Sequence, residues 1–416
     1  MKVSHINFSD FSGGASIAAN RICKSLRTHG LEIELRVQKK YSSLDYVQIL
    51  NSRYHDFYTS IIRKLEFLLS KFLLSSKESF SISMHFSNAH KKINDLPSDL
   101  IHLHWINGGM LSIKDISRIQ KPLVWTLHDM WAFSGPRHYY LDPDLRAISG
   151  INTKVSFFER LLAKIIFNKK TSFWRHPIYI VAPSQWMADQ AKNSSLMKNW
   201  PISVIKNPID TVQWTPENQS LSREFFKLPQ KSSLILFGAA GGIEDQRKGF
   251  SYLKNALKNI EQNDGIELVI YGGTKSDLSL GLNIKVHNMG YISDPHKLKK
   301  LYSACNVLVI PSIQDNLPNT AIESLACSTP VVAFNLCGMP DIILHKKTGY
   351  LAEAYNSDDL MNGINWTLNP DISEKVKKHC RDHAIENFAL EVVGKEYINL
   401  YEKILKESQF HKGKAY

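Results

Sequence analysis

The chain has 416 residues and no run of about 18 uncharged apolar residues, so no segment reads as a membrane-crossing helix. Its first residues, Met-Lys-Val-Ser-His-Ile-Asn-Phe, lack the apolar centre of a secretory signal and read as a strand. Cysteine is scarce and scattered. Cys23, Cys305, Cys327, Cys337 and Cys380 form no C-x2-C pair, which argues against a disulfide framework or a zinc finger. They read as reduced, mainly buried thiols of a cytoplasmic protein. There is no G-x-G-x-x-G string, no repeat at solenoid periods, no low-complexity tract and no nucleic-acid module. Acidic residues are in deficit, 39 against 51 basic, for a net charge of +12. That balance asks for an anionic partner: nucleic acid, anionic lipid or a phosphorylated small molecule.

A chain this long suits two domains rather than one core. Strand-like and helix-like segments alternate through both halves, the pattern of doubly wound α/β domains. The most informative stretch is 304–335. Val307 to Ile310 is a β-branched apolar run, as expected of a strand buried on both faces. Pro311 ends it, Pro318 suits the first turn of a helix reaching about Cys327, and Val331 to Phe334 reads as the next strand. The 311–318 loop therefore lies at a strand's carboxyl end and a helix's amino end, where open α/β sheets bind ligands and where an anion is favoured.

Two acids frame this loop. Asp315 reads as a turn residue or a ligand contact. Glu323 sits in the apolar segment Ala321 to Ala326, where a carboxylate needs a partner. Thr320-Ala-Ile-Glu323 fits a capping box, and a ligand role fits as well.

Asp315-x7-Glu323 followed by Ala326-Cys-Ser-Thr-Pro-Val-Val-Ala333 resembles the acid-x7-glutamate motif of retaining glycosyltransferases of family 4, which have the two-domain GT-B fold. Asp315 stands where glutamate is usual, and Ser328 where glycine is usual. The resemblance implies that Glu323 binds the ribose of a nucleotide. It implies that Asp315, with the amides of Asn316 and Leu317, holds hydroxyls of the transferred sugar. A carboxylate suits both tasks, since it accepts two charge-assisted hydroxyl bonds.

Other segments join this pattern. The loop Ser9-Asp-Phe-Ser-Gly-Gly-Ala15 follows the first strand, and its glycine pair reads as a tight turn or as a close approach to a ligand. The resemblance favours Gly14 as facing the donor phosphates. His102 and His104 share one face of a strand at 99–105, but no carboxylate or cysteine cluster adjoins them, so no metal is expected. Leu127-His-Asp-Met-Trp-Ala-Phe133 resembles a segment of polysaccharide-building members. There the histidine binds a hydroxyl of the transferred sugar, a role carried to His128, which otherwise reads as a structural histidine at a strand end. The cysteine-bearing insert of many relatives is replaced by Pro136-Arg-His-Tyr-Tyr140, and Asp142-Pro-Asp144 reads as a turn rather than a metal motif.

Leu234 to Gly242 is a strand entering a glycine-rich loop, followed by Asp245-Gln-Arg-Lys-Gly-Phe250. Lys248 matches the family's diphosphate lysine. Ala239 or Ala240 stands where its diphosphate arginine is expected, and Arg247 is the candidate substitute. Cations at a helix amino end oppose its dipole and call for an offsetting anion. Gly338-Met-Pro-Asp-Ile-Ile343 also resembles the family, with Asp341 reading as a helix cap or a sugar contact.

Two amphipathic segments have readings of their own. Residues 57–76 place Ile61, Ile62, Leu65, Leu68, Leu69, Phe72 and Leu73 at helical spacing, expected to pack on the domain's sheet, with membrane docking as the alternative. Residues 154–175 carry Phe157, Phe158, Leu161, Leu162, Ile165 and Ile166 beside Lys154, Arg160, Lys164, Lys169 and Lys170. Core helix and anionic-membrane helix both fit, each basic residue near such a surface being worth about 1 kcal/mol.

The expectation is thus an α/β protein of GT-B type, two doubly wound Rossmann-like domains facing a central cleft. Residues 1–210 would bind the acceptor and 211–390 the nucleotide sugar, with a helix at 391–416 packing back toward the first domain. The resemblance implies a retaining hexosyltransferase that uses a nucleotide-diphospho-sugar, with no metal or other cofactor. Its acceptor would be a glycan or polyprenyl-diphosphate-linked glycan of O-antigen, capsule or exopolysaccharide synthesis, at the inner face of the cytoplasmic membrane, with no nucleic acid. The alternatives are a nucleotide-sugar epimerase on the same fold or a non-catalytic scaffold of a polysaccharide assembly complex.

Overall fold

The structure, a computed structural model, describes residues 1–51, 53–73, 80–139, 156–238, 242–261, 264–273 and 280–413. The chain divides into two compact units, Met1–Lys206 with Val393–Tyr416, and Asn207–Val392.

The first unit runs β1 (Lys2–Ser9), α1 (Gly14–Thr28), β2 (Glu32–Lys39), β3 (Val47–Ile49), α2 (Arg53–Leu73), α3 (Ala89–Asn94), β4 (Leu100–Leu103), α4 (Ile113–Ile116), β5 (Leu123–Thr126), α5 (Phe157–Phe173), β6 (Tyr179–Ala182), α6 (Gln185–Asn193) and β7 (Ile202–Val204). Its sheet has seven parallel strands in the order β3-β2-β1-β4-β5-β6-β7. Seven of the eight residues of β1 are buried, as suits a central strand covered on both faces.

The second unit runs α7 (Gln219–Phe225), β8 (Ser233–Gly238), α8 (Phe250–Ala256), β9 (Ile266–Tyr271), β10 (Val286–Asn288), α9 (Pro295–Ala304), β11 (Val307–Ile310), α10 (Asn319–Ala326), β12 (Val331–Phe334), β13 (Gly349–Ala352), α11 (Ser357–Leu368) and α12 (Pro370–Phe388). Its six strands are parallel in the order β10-β9-β8-β11-β12-β13.

In both sheets the order reverses direction once, between β1 and β4 and between β8 and β11. Ligand sites of doubly wound sheets form outside the strands' carboxyl ends at such reversals. The Ser9–Gly14 loop and His104 lie at the first, and Gly238 and the loop after Ile310 at the second.

After α12 the chain turns at Ala389, which is extended at φ −57° and ψ 150°. The last helix, α13 (Leu390–Gly413), packs Val393, Tyr397, Tyr401 and Ile404 against Val3, Leu35 and Val124 on one face of the first sheet.

Two amphipathic readings are corrected. In α2 the expected inward stripe faces out: Ile61, Leu65, Leu68 and Leu69 are exposed, whereas Thr59 and Glu66 are buried. The backbone N–H groups of Ile82 and Ser83 both donate to Glu66 Oε1, at 2.8 and 3.0 Å. Satisfying two buried donors with one carboxylate fixes which side of the helix turns inward. In α5, Lys170 is not part of a basic outer face. It is fully buried and donates to the carbonyls of Trp131, Ser134 and Gly135, with its ammonium 3.8 Å from the centre of the Trp131 ring. Phe157, Phe158, Leu161 and Ile165 are exposed, while Ile166 is core. Lys154 lies outside the described residues.

Candidate active site

In the second unit, Gly249 sets the geometry. Its φ is +69°, and a Cβ there would lie 1.8 Å from the Pro311 carbonyl oxygen, so only glycine fits. This close approach brings the single turn Gln246–Lys248 against the 311–318 loop. The Ile313 N–H donates to the Arg247 carbonyl at 3.0 Å, and the Arg247 guanidinium donates to the Gln314 carbonyl at 3.1 Å. Lys248 Nζ lies 2.6 Å from Asp315 Oδ2. Burial pushes the Asp315 carboxyl up, but the charges of Lys248 and Arg247, with hydrogen bonds from Lys248 and the Asn316 N–H, together outweigh it and hold the pKa below the ordinary aspartate value. The offsetting anions that the two cations required are thus Asp315 for Lys248 and Asp245, 3.4 Å from Arg247. The Asn316 N–H also bonds the Asp315 carboxylate, and Leu317 is buried with its carbonyl accepting from Asn207 Nδ2 at 3.3 Å.

Glu323 is buried in α10. Thr320 lies inside this helix and Pro318 occupies the cap position without a side-chain bond, so the capping box is not formed. Glu323 Oε2 instead accepts from the Tyr302 hydroxyl at 3.0 Å, and Tyr271 Oη stands 2.8 Å behind Tyr302. Asp341 does not stand at the cap position either: it is the last residue of the turn Met339–Asp341, whose cap position is Gly338.

In the first unit, His128 stands two residues beyond β5, and its Nε2 lies 3.0 Å from His104 Nδ1. His104, Trp105, Asn107, His128 and Asp129 line a small pocket. Burial draws His128 down to about 4, against the pull of Asp129, so the ring is neutral near pH 7. Asp129 is held on three sides. Trp105 Nε1 lies at 3.0 Å and His138 Nδ1 at 2.6 Å from Oδ2, and the Trp131 N–H lies 3.0 Å from Oδ1. Burial raises the Asp129 carboxyl, but His138, the Trp131 N–H and His128 together outweigh this and the pKa is lowered. Lys170 braces the same loop from below. Burial pulls its pKa down and Asp129 opposes this, while three carbonyl acceptors match the three N–H bonds of an ammonium. In the Ser9–Gly14 loop, Gly13 carries the positive φ of 88° and Gly14 opens α1.

His5, which the sequence reading passed over, joins His102 and His104. The three offer nitrogens within 4.8 Å of one another. Five of their six nitrogens have protein partners: Tyr401 and Thr126 for His102, and neighbouring imidazoles for the others. The set fits a hydrogen-bonded cluster. A cation there would break these bonds and find no carboxylate among the three. Asp142 and Asp144, and Ala239 and Ala240 at the place of the family's arginine, lie outside the described residues.

A family model described as glycosyl transferases group 1 matches residues 221–387, and one described as Glycosyltransferase Family 4 matches residues 12–213. The chain belongs to the family 4 glycosyltransferases. It is 25% identical over 244 residues to the capsular polysaccharide biosynthesis glycosyltransferase CapM of Staphylococcus aureus, which covers 55% of this chain and 63% of CapM. Matches to the curated relatives span 42% to 67% of those proteins' lengths. Among solved structures, sucrose-phosphate synthase of Thermosynechococcus elongatus superposes with a TM-score of 0.66 at 17% identity, covering 98% of this chain and 100% of that one. HepE of Anabaena, solved with UDP-glucose, gives 0.64 at 16% identity, covering 97% and 100%. These likenesses establish the GT-B fold.

Proposed function

We propose that this glycosyltransferase moves a hexose-type sugar from a nucleotide-diphospho-sugar to a glycan or lipid-linked glycan, with retention of anomeric configuration. The observation that carries the reading is the second unit's charged loop pair. Lys248 and Asp315 are brought together by Gly249 at the reversal of the sheet, beside the helix that holds Glu323. Glu323 takes the ribose, Lys248 the diphosphate, and Asp315 a hydroxyl of the transferred sugar. Donor binding must then draw Lys248 off Asp315, exchanging one anion for another. As the sugar–phosphate bond breaks, charge grows on the leaving diphosphate and the preorganised lysine stabilises it. Arg247 serves as the second cation. In the first unit, the acceptor-binding half of this reading, His128 supplies a sugar-hydroxyl contact and Gly14 borders the donor phosphates. No metal or other cofactor enters the reading. That HepE was solved with UDP-glucose and that CapM acts in capsular polysaccharide biosynthesis both support it.

The test is turnover of a panel of nucleotide-diphospho-sugars with and without oligosaccharide and polyprenyl-diphosphate acceptors. The expected result is acceptor-dependent release of one nucleoside diphosphate, with a product whose anomeric configuration matches the donor. Conversion of donor without acceptor would indicate an epimerase, and absence of nucleotide binding a scaffold.

A second element concerns the membrane. No described helix is long and apolar enough to cross one. Yet α5 exposes Phe157, Phe158, Leu161 and Ile165 beside Arg160 and Lys164, and α2 exposes Leu65, Phe67, Leu68 and Leu69 beside Arg63 and Lys64. Apolar faces flanked by cations suit peripheral contact with an anionic surface, here the inner face of the cytoplasmic membrane. Co-sedimentation with anionic vesicles at low salt, lost in a Phe157→Ser, Leu161→Ser double variant, is the expected outcome. Failure of the unaltered protein to co-sediment would reject it.

A further inference from the structure

Three imidazoles form a continuous chain in the first unit. His5 of β1 is paired in register with His102 of β4, and its Nδ1 lies 2.9 Å from Nε2 of His104, just past β4. Nδ1 of His104 lies 3.0 Å from Nε2 of His128. His5 and His104 are buried, at 0% and 2% exposure, and His128 is half-buried at the chain's outer end. The far end is closed: among the described residues, His5 Nε2 has no hydrogen-bond partner.

A neutral imidazole has one N–H and one lone pair. In a chain linked Nδ1 to Nε2, the middle ring must donate from one nitrogen and accept at the other. Only two arrangements satisfy both links. In one, every ring carries its proton on Nδ1 and the bonds run outward from His5 to His128. In the other, every ring carries it on Nε2 and the bonds run inward. The inward arrangement strands an N–H of His5 with nothing to receive it, a loss of about 1–3 kcal/mol of the kind that buried donors almost never show. The outward arrangement leaves only a bare lone pair there. We propose that His104 and His5 are positioning residues that hold His128 as its Nδ1–H tautomer, through this outward-running chain.

Neutrality of the rings is secured by their surroundings. Burial draws His5 to about 3 and His128 to about 4, and holds His104 and His102 well below the usual range. The other polar groups packed around the chain are the hydroxyls of Thr126, Tyr397 and Tyr401, the last two from α13, and the Asp129 carboxylate. The dead end at His5 argues against a proton conduit, because a proton entering the chain has nowhere to leave. What the chain achieves is orientation: Nε2 of His128 accepts from His104, and its proton is held on Nδ1. Any group bonded to that nitrogen must be an acceptor. The consequence for sugar transfer rests on the reading of His128 as a sugar contact, whereas the tautomer does not.

The test is nitrogen NMR of the full chain labelled with 15N-histidine, near neutral pH. The expected spectrum shows His128 and His104 each with a protonated Nδ1 and a bare Nε2. A protonated Nε2 on His128, or a mixture of tautomers, would overturn the proposal, as would one zinc bound per chain through these rings. In His104→Phe the His128 signal should become a mixture and kcat/KM should fall about 10-fold, one hydrogen bond's worth. His104→Gln, whose amide donates and accepts at once, should restore the Nδ1–H form. A His128 tautomer unchanged in His104→Phe would overturn the proposal. If that variant fails to fold, the spectrum of the unaltered chain still decides. Full transfer activity in His128→Ala beside the expected spectrum would sink the sugar contact and leave the tautomer lock standing.

Discussion

The two units place their candidate sites at the same topological point and build them from opposite chemistry. The first unit's site is a run of buried neutral imidazoles around His128. The second unit's is an ion pair, Lys248 with Asp315, at the edge of a glycine-tight turn. Neutral polar groups suit sugar hydroxyls, which need direction rather than charge. Fixed charge suits a diphosphate, whose negative charge grows as its bond breaks. On the proposed reading, the same scaffold is divided between alignment and electrostatics.

The largest effect that sharpens this contrast is expected at Lys248. Lys248→Ala should lower kcat for sugar transfer by about 100-fold or more, the scale of removing one preorganised charge-stabilising donor. It leaves Asp315 without its 2.6 Å partner, so the carboxyl pKa should also rise. A kcat within a few-fold of the unaltered enzyme would remove the charged half of the comparison.

Acid should separate the units next. An imidazole whose folded pKa lies below its ordinary 6.5 binds fewer protons when folded than when unfolded. Its contribution to stability is therefore intact above that ordinary value. It is lost as pH falls toward about 4 for His128 and about 3 for His5, by up to about 1.4 kcal/mol per pH unit for each ring. Asp315 behaves otherwise, because its depressed pKa keeps its contribution intact until pH falls below the ordinary 3.8. Hydrogen exchange compared at about pH 5 and near neutrality, corrected for intrinsic rates, should show protection lost first in β1, β4 and β5. Equal loss in both sheets would contradict this.

The smallest effect is at Tyr302. Tyr302→Phe takes one hydroxyl from Glu323 and strands that of Tyr271. Nucleotide affinity should weaken about fivefold, or about 1 kcal/mol, measured by calorimetry. An unchanged affinity would show that Glu323 needs no support from behind.

The limits of the sequence reading fall along the same line. The strands Val307–Ile310 and Val331–Phe334 were legible to the residue, because short β-branched runs bounded by proline carry their own signal. Gly249 was legible only as part of a motif, since the carbonyl it makes room for lies far along the chain. The helix periodicity of α2 was legible, but its orientation was not. Periodicity shows that a helix has two faces, and the choice was made by two backbone donors at Ile82 and Ser83 that need Glu66. Lys170 failed for the same reason: nothing local marks a lysine as the brace of a loop more than thirty residues away in sequence. His5 carried no signal, because its chemistry arises only when β1 and β4 are laid side by side.

The central claim is that the second unit is a nucleotide site anchored by Glu323. The measurement that tests it most directly is thermal unfolding with UDP, GDP, ADP and CMP in turn, repeated on Glu323→Ala. At about 100 times its Kd a bound nucleotide adds ~2.7 kcal/mol, enough to raise Tm by a few degrees. The account predicts such a rise with one nucleoside diphosphate and its loss in the variant. No rise with any nucleotide, or an equal rise in Glu323→Ala, would contradict it.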